Sequence, residues 1–239
     1  MRILAFESSA KAASAALLTD GVLTAESYQN DGQTHSRTMM KLAADLLDTC
    51  GLSPAQLDLV AWANGPGSFT GVRIGAAAAK GLCWGAELPC VPVSTLEAMA
   101  WNAVDLPGVI CCCMDARRSQ VYNALFRGEG GRIVRLRPDR AISLEELAED
   151  LRSFDELVWF VGDGAVLAFE ALGAELVTPR IVHEKNRQQR ASGVALAAYE
   201  AARQGIRQDP AAVTPNYLRL SQAERERLER DNAQKGDNH

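Results

Sequence analysis

Short apolar runs broken by polar turns open the chain. Ile3 to Phe6 is uninterrupted and apolar, which predicts a short buried strand. Ala13 to Thr19 and Val22 to Tyr28 flank Asp20-Gly21, a two-residue hairpin signal. Three antiparallel strands are therefore expected. The period then changes: Met39, Leu42, Ala43, Leu46 and Cys50 recur at spacings of three and four, so Ser36 to Cys50 is predicted as a helix. Thr34 is placed for its N-cap and Gly51 for its stop. Met40, Ala44 and Leu47 widen the apolar arc beyond what one sheet face requires. Either this helix is pinned on two sides by its own domain, or its second face meets a partner.

Ser53-Pro54 starts a turn, and Leu57 to Ala63 reads as the next strand. The stretch the chain is organised around follows: Gly65-Pro66-Gly67-Ser68-Phe69-Thr70-Gly71-Val72-Arg73-Ile74-Gly75, opening a helix from Phe69 to Gly85. Glycine suits such a corner because it takes positive φ and lets backbones approach closely. Ser68 or Thr70 can accept a backbone N–H at the helix start. The corner is either a cradle for an anion at a helix N-terminus or a capped strand-to-helix turn. No Lys follows its glycines in P-loop fashion. Gly71, Gly75, Ala77, Ala78, Ala79 and Gly81 make the helix unusually small-sided, and close approach of another helix is the expected reason. Arg73 stands in the first turn, where the helix dipole disfavours a cation, so it is expected either to reach outward to an acidic group or to stay solvated.

Cys90 to Val93 reads as a strand, and Ser94 to Glu97 carries a capping pattern for a helix ending near Asn102. Asp105-Leu106-Pro107-Gly108 is a linker. The opening grammar then repeats: strand Val109 to Met114, polar turn Asp115 to Ser119, strands Val121 to Phe126 and Ile133 to Leu136, helix Leu144 to Leu151, strand Leu157 to Val161, turn Gly162-Asp163-Gly164. A later helix spans Ala191 to Gln204 and ends at Gly205. Two β-β-β-α-β-α-like halves imply a duplicated α/β architecture. The expected domains are 1–105 and 106–220, with 221–239 as a charged terminal helix (Ala223 to Arg230) and a disordered tail.

Composition narrows the function. The 239 residues carry a formal net charge of -5, which argues against a protein that grips nucleic acid unaided. No apolar run is long enough to span a bilayer, and Glu7 interrupts any secretory segment, so a cytoplasmic location is expected. Cys50, Cys83, Cys90 and Cys111-Cys112-Cys113 form no C-x-x-C pair and read as buried free thiols. His35, His183 and His239 are too scattered for a metal pair.

The eleven residues from Gly65 to Gly75 resemble the signature of the TsaB (YeaZ) family. Gly85-Ala86-Glu87-Leu88-Pro89, Val93-Ser94-Thr95-Leu96, Met114-Asp115-Ala116-Arg117 and Pro215-Asn216-Tyr217-Leu218-Arg219 support the resemblance. It covers residues 1 to about 125 well, then the closing motif. It implies an α/β, actin/hexokinase/Hsp70-like (ASKHA) fold with two duplicated α/β domains and mixed sheets. It further implies a non-catalytic scaffold in the synthesis of threonylcarbamoyladenosine in tRNA. Such a subunit pairs with its paralogue TsaD, which carries the metal and the active site. TsaE, an ATPase, joins the pair, and TsaC supplies threonylcarbamoyl-adenylate. No cofactor of its own is implied, ATP or ADP and metal belonging to the partner subunits. A homodimer in isolation is possible, and tRNA is met only through the complex. Pairing would use the first domain's two helices, hence Met39, Leu42, Ala43, Leu46, Arg73, Gly75, Ala78 and Ala79. Gly65, Gly67, Ser68, Thr70 and Gly71 would form the structural loop. His35 is followed four residues on by Met39, which cannot complete the His-x-x-x-His pair of TsaD. The turns at Glu7 to Ala10 and Asp115 to Arg118 lack the glycines that wrap a triphosphate. The alternative is an ATP-dependent ASKHA-type kinase or ATPase, using Glu7 and Asp115 for magnesium and Asp163 or Glu97 as base. A protease is unsupported by any Ser, His and Asp motif or H-E-x-x-H.

Overall fold

The computed structural model describes residues 1–176 and 178–219. The predicted terminal helix from Ala223 and the tail beyond it lie outside the described residues. The first half forms β1 (Arg2–Glu7), β2 (Ala13–Thr19), β3 (Val22–Gln29), α1 (His35–Thr49), β4 (Leu59–Ala63), α2 (Phe69–Ala86), β5 (Cys90–Val93) and α3 (Thr95–Ala100). The second forms β6 (Val109–Asp115), β7 (Gln120–Glu129), β8 (Arg132–Ser143), α4 (Leu144–Leu151), β9 (Val158–Val161), α5 (Ala165–Leu172), β10 (Pro179–Ile181), the single turn α6 (Glu184–Arg187) and α7 (Ala191–Arg203).

The sheets have the same internal order, β3-β2-β1-β4-β5 and β8-β7-β6-β9-β10. In each the first three strands are antiparallel and the last two run parallel to the centre strand. The duplication read from the pattern is thus a duplication of topology.

Alternation along the strands fixes the layers. Leu4 and Phe6 of β1, Leu17 of β2, and Val60 and Trp62 of β4 face α1 and α2. Ile3, Ala5, Leu18, Leu59 and Ala61 face the other way, against α7. In the second sheet Cys111 and Cys113 turn toward α4 and α5. Cys112 turns toward α3, through Leu96, Met99 and Ala100. All six cysteines are free thiols; five are buried as expected, and Cys50 is half-exposed. Five layers result, with α3 and α7 between the two sheets.

The boundary at 105/106 divides the sheets but not the packing. Helix α7 closes the first half's core: Ala191 N donates to Ser14 Oγ at 2.9 Å, and Ser192 N to Glu26 Oε1 at 3.0 Å. Its N-terminus is thus capped by strands of the first half. Arg190 pairs with the same Glu26 at 2.6 Å and lies over the Tyr28 ring.

Candidate functional site

The glycine corner is built by close backbone approach. Gly65 is at φ +107, and a Cβ there would overlap the carbonyl of Asn216. A Cβ on Gly71 would overlap the carbonyl of Ser8, and one on Gly75 would come within 2.5 Å of Ser8 Oγ. At Gly71 and Gly75 the small side of α2 therefore receives the β1–β2 turn, not another helix, which corrects the expected reason for these two glycines. Gly67 lies against Ser9, whose carbonyl accepts from Ser68 N at 2.7 Å. Ser68 caps α2 by accepting from Gly71 N, and Thr70 is exposed in the first turn without a capping role. With N–H groups of 68, 71 and 72 taken by Ser9 and Ser68, the corner is a capped turn, not an open anion cradle.

The expected pairing residues divide. Met39, Ala43, Leu46 and Ala79 are buried in the first half's own core, Leu46 at 5% exposure, because Leu4, Phe6, Val60 and Trp62 fill the space beneath them. Gly75 is covered by Ser8. These five are corrected to core positions: the apolar stripe that announces α1 is the face its own sheet buries. Leu42 and Ala78 are half-buried at the edge, and Arg73 is exposed. The free surface lies one step round each helix. On α1 it carries Met40, 47% exposed, and Ala44. On α2 it carries Ala77, Gly81, Trp84 and Gly85, with open space above both glycines. Trp84 is 64% exposed, the most exposed aromatic side chain among the described residues. Sequence reasoning passed over it. Its signal was its place, seven residues beyond Ala77 in a helix otherwise nearly free of large side chains.

Residues 208–217 run as a strap across the first half. Gln208 exchanges backbone bonds with Cys90 at 3.0 and 2.8 Å. Lys80 Nζ donates to Val213 O at 2.6 Å, and Asn64 Nδ2 to Thr214 O at 2.8 Å. Tyr217 stacks on Phe69 with centroids 4.1 Å apart and planes 3° from parallel. Arg73 donates through Nε to Tyr217 Oη at 2.8 Å, so it meets a phenol of this chain and not the acidic group expected of it.

Between the lobes, the first turn ends in a sealed carboxyl. Glu7 is fully buried; Oε1 accepts from Ser9 N at 2.6 Å and Oε2 has no partner. Burial pushes its pKa up to about 7, against bonds from Ser9 and with Asp163 adding to the rise. Asp163 is raised as well, chiefly by burial, while Gln189 Nε2 donates to its Oδ1 at 2.7 Å. Asp115 Oδ1 accepts from Arg117 N at 2.7 Å, and Glu97 is paired with Arg135 at 2.8 Å. The four acids of the kinase alternative are thus sealed, tied to amides or salt-bridged. Among the described residues no group of three or more His, Cys, Asp or Glu is placed to hold a metal ion.

The family model described as TsaD, tRNA N6-adenosine threonylcarbamoyltransferase, matches residues 25–227. The Bacillus subtilis (strain 168) tRNA threonylcarbamoyladenosine biosynthesis protein TsaB is 33% identical over 230 residues, 96% of this chain and 99% of that relative. Its Escherichia coli (strain K12) namesake is 41% identical over 134 residues, covering 55% of this chain and 58% of the relative. Among solved structures, YeaZ from Pseudomonas aeruginosa aligns with a TM-score of 0.79 at 24% identity, over 91% of this chain and 99% of that one. At that identity the likeness bears on the fold alone. The two lobes with duplicated mixed sheets share that structure's fold.

Proposed function

The chain belongs to the TsaB family, and from that premise we propose that it is the pairing subunit of the assembly that attaches threonylcarbamoyl to N6 of the tRNA adenosine beside the anticodon. It docks on TsaD, and TsaE joins the pair. ATP or ADP and the metal belong to those partners; this subunit binds no cofactor of its own and does not catalyse the transfer. It works in the cytoplasm and meets tRNA within the complex.

The observation that carries this reading is the outward face of α1 and α2. Met40, Leu42, Ala44, Ala77, Ala78, Gly81 and Trp84 put apolar positions with one large aromatic on that face, beside the Lys41–Asp45 ion pair of α1. A tryptophan amid small residues has the composition of an interface anchor. The same face supports self-pairing of the isolated chain. The kinase reading is disfavoured by Glu7, which has no exposure to a magnesium ion or a phosphate.

Reconstitution tests it. With TsaD, TsaE, threonylcarbamoyl-adenylate and tRNA, modified adenosine is measured in nuclease digests with and without this chain. Product is expected only when chain and TsaD are both present. Equal product without the chain, or product from the chain alone, would overturn the proposal.

A further inference from the structure

The net charge of -5 hides a local imbalance. Most arginines of the second sheet are neutralised: Arg127 by Glu156, Arg132 by Glu200, Arg135 by Glu97 and Asp139, Arg137 and Arg140 by Asp150. Where the strap meets the mouth of the interlobe cleft the pattern reverses. Arg73 of α2 lies beside the Phe69–Tyr217 stack, its guanidinium carbon 5.0 and 5.6 Å from the two ring centroids. Two residues beyond Tyr217, Arg219 donates to Ala116 O at 2.6 Å, which sets it beside Arg117 and Arg118. Arg73, Arg118 and Arg219 have no acidic partner among the described residues; Arg117 shares Asp115 at 3.5 Å. Three segments far apart in sequence thus converge on one strip: arginine, stacked aromatic pair, arginine, two arginines.

The β6–β7 turn adds a second observation. Arg117, Arg118 and Ser119 have φ of +65, +56 and +55. Left-handed conformation is visited by non-glycine residues mostly one at a time, and glycine would relieve it. Here two adjacent arginines occupy it and both are exposed.

We propose that this strip binds RNA, its arginines contacting backbone phosphates and the ring of Tyr217, 39% exposed, stacking an unpaired base. The proposal rests on the reading that the chain works on tRNA, and it gives this subunit a direct contact with the substrate beyond pairing. Phosphate neutralisation supplies affinity and salt dependence, and base stacking on an aromatic is tolerant of sequence. A phosphate attached to a base is also what a free nucleotide offers, so both sources enter the test.

The probe is a fluorescein-labelled tRNA anticodon arm, followed by anisotropy with the full chain over a salt series, and competed with ATP. With Arg117 held by Asp115, phosphate contacts from Arg73, Arg118 and Arg219 predict a slope of log affinity against log salt of about -2, at roughly -0.7 per phosphate for single strands. Arg118→Gly should weaken binding several-fold and flatten the slope by about 0.7, while raising the melting temperature by relieving the left-handed residue. Arg118→Lys should retain the slope. Sedimentation with TsaD, run on the same variants, should be unchanged; if wild type fails to pair yet binds RNA, the scaffold reading fails and this one stands. No binding at low salt, an affinity indifferent to Arg118→Gly, or displacement of the RNA by micromolar ATP would overturn the proposal.

Discussion

Gly71→Ala separates a glycine required by close approach from one that is merely present. A Cβ at Gly71 would overlap the Ser8 carbonyl oxygen, with the carbon behind it at 3.2 Å and Ser68 Cβ at 3.3 Å. The Ser8 backbone cannot retreat freely, because Ser8 Oγ donates to Gly71 O at 2.9 Å and Ser9 O holds Ser68 N at 2.7 Å. Overpacking of this kind costs about 1–3 kcal/mol. Loss of the buried hydroxyl bond adds about 1–3 kcal/mol. Alanine returns about 1 kcal/mol through helix propensity. The net expectation is a loss of about 3 kcal/mol, which for a chain of this size lowers the melting temperature by roughly 6–12 °C. Gly81→Ala, in the same helix with nothing within 4 Å of the added Cβ, should stabilise by up to about 1 kcal/mol. Both variants are read by thermal unfolding of the isolated chain. If Gly71→Ala melts at or above wild type, the packing of α2 on the β1–β2 turn is not as described.

Burial of Glu7 gives a pH dependence of definite sign. Its carboxyl titrates near 7 folded against an ordinary 4.5, so the folded chain holds the proton where the unfolded chain has lost it. The stability Glu7 contributes is then fully present below about pH 4.5 and falls as pH rises to about 7, by at most about 3 kcal/mol at 1.36 kcal/mol per unit; Asp163, also raised, acts in the same direction. Urea unfolding at about pH 5 and about pH 7.5 checks this, and Glu7→Gln should flatten the difference; an unflattened difference would contradict it. The cysteines should divide by burial. Burial pushes Cys83 up to about 12 and Cys90 to about 11, and holds Cys111 and Cys112 well above the ordinary thiol range, while Cys50 is half-exposed. Iodoacetamide at about pH 8 should label Cys50 first in the native chain, read by peptide mass spectrometry, and early labelling of Cys111–Cys113 would contradict the packing.

Periodicity made much of this fold legible. Strands β1 to β3 and helices α1, α2 and α4 fall within one or two residues of where their patterns place them, and the repeated order of turns foretold the repeated sheet order. What failed had physical causes. Helix α5 has seven apolar residues in eight, so no polar face marked its period, and β10 has only three residues. A helical stripe shows which residues share a face, but not whether a sheet or another chain covers it. That is why Met39, Ala43 and Leu46 pointed to a partner and lie in the core. The strap and the capping of α7 by Glu26 and Ser14 join residues more than 100 positions apart, which no local pattern encodes.

The outer face of α2 carries the proposed pairing most directly. Trp84 leaves 64% of its surface exposed, roughly 150 Å² of an indole's 150–250 Å², and covering that at about 25 cal/mol per Å² contributes at most about 4 kcal/mol. Interface anchors of this kind lose at least about 2 kcal/mol on truncation, about thirtyfold in affinity. Sedimentation velocity of the chain mixed with TsaD should show a heterodimer for wild type and its loss for Trp84→Glu, with the melting temperature of the isolated variant unchanged. Leu46→Glu, by contrast, should unfold the chain before pairing can be scored. A Trp84→Glu chain that co-sediments with TsaD at wild-type affinity would contradict the account.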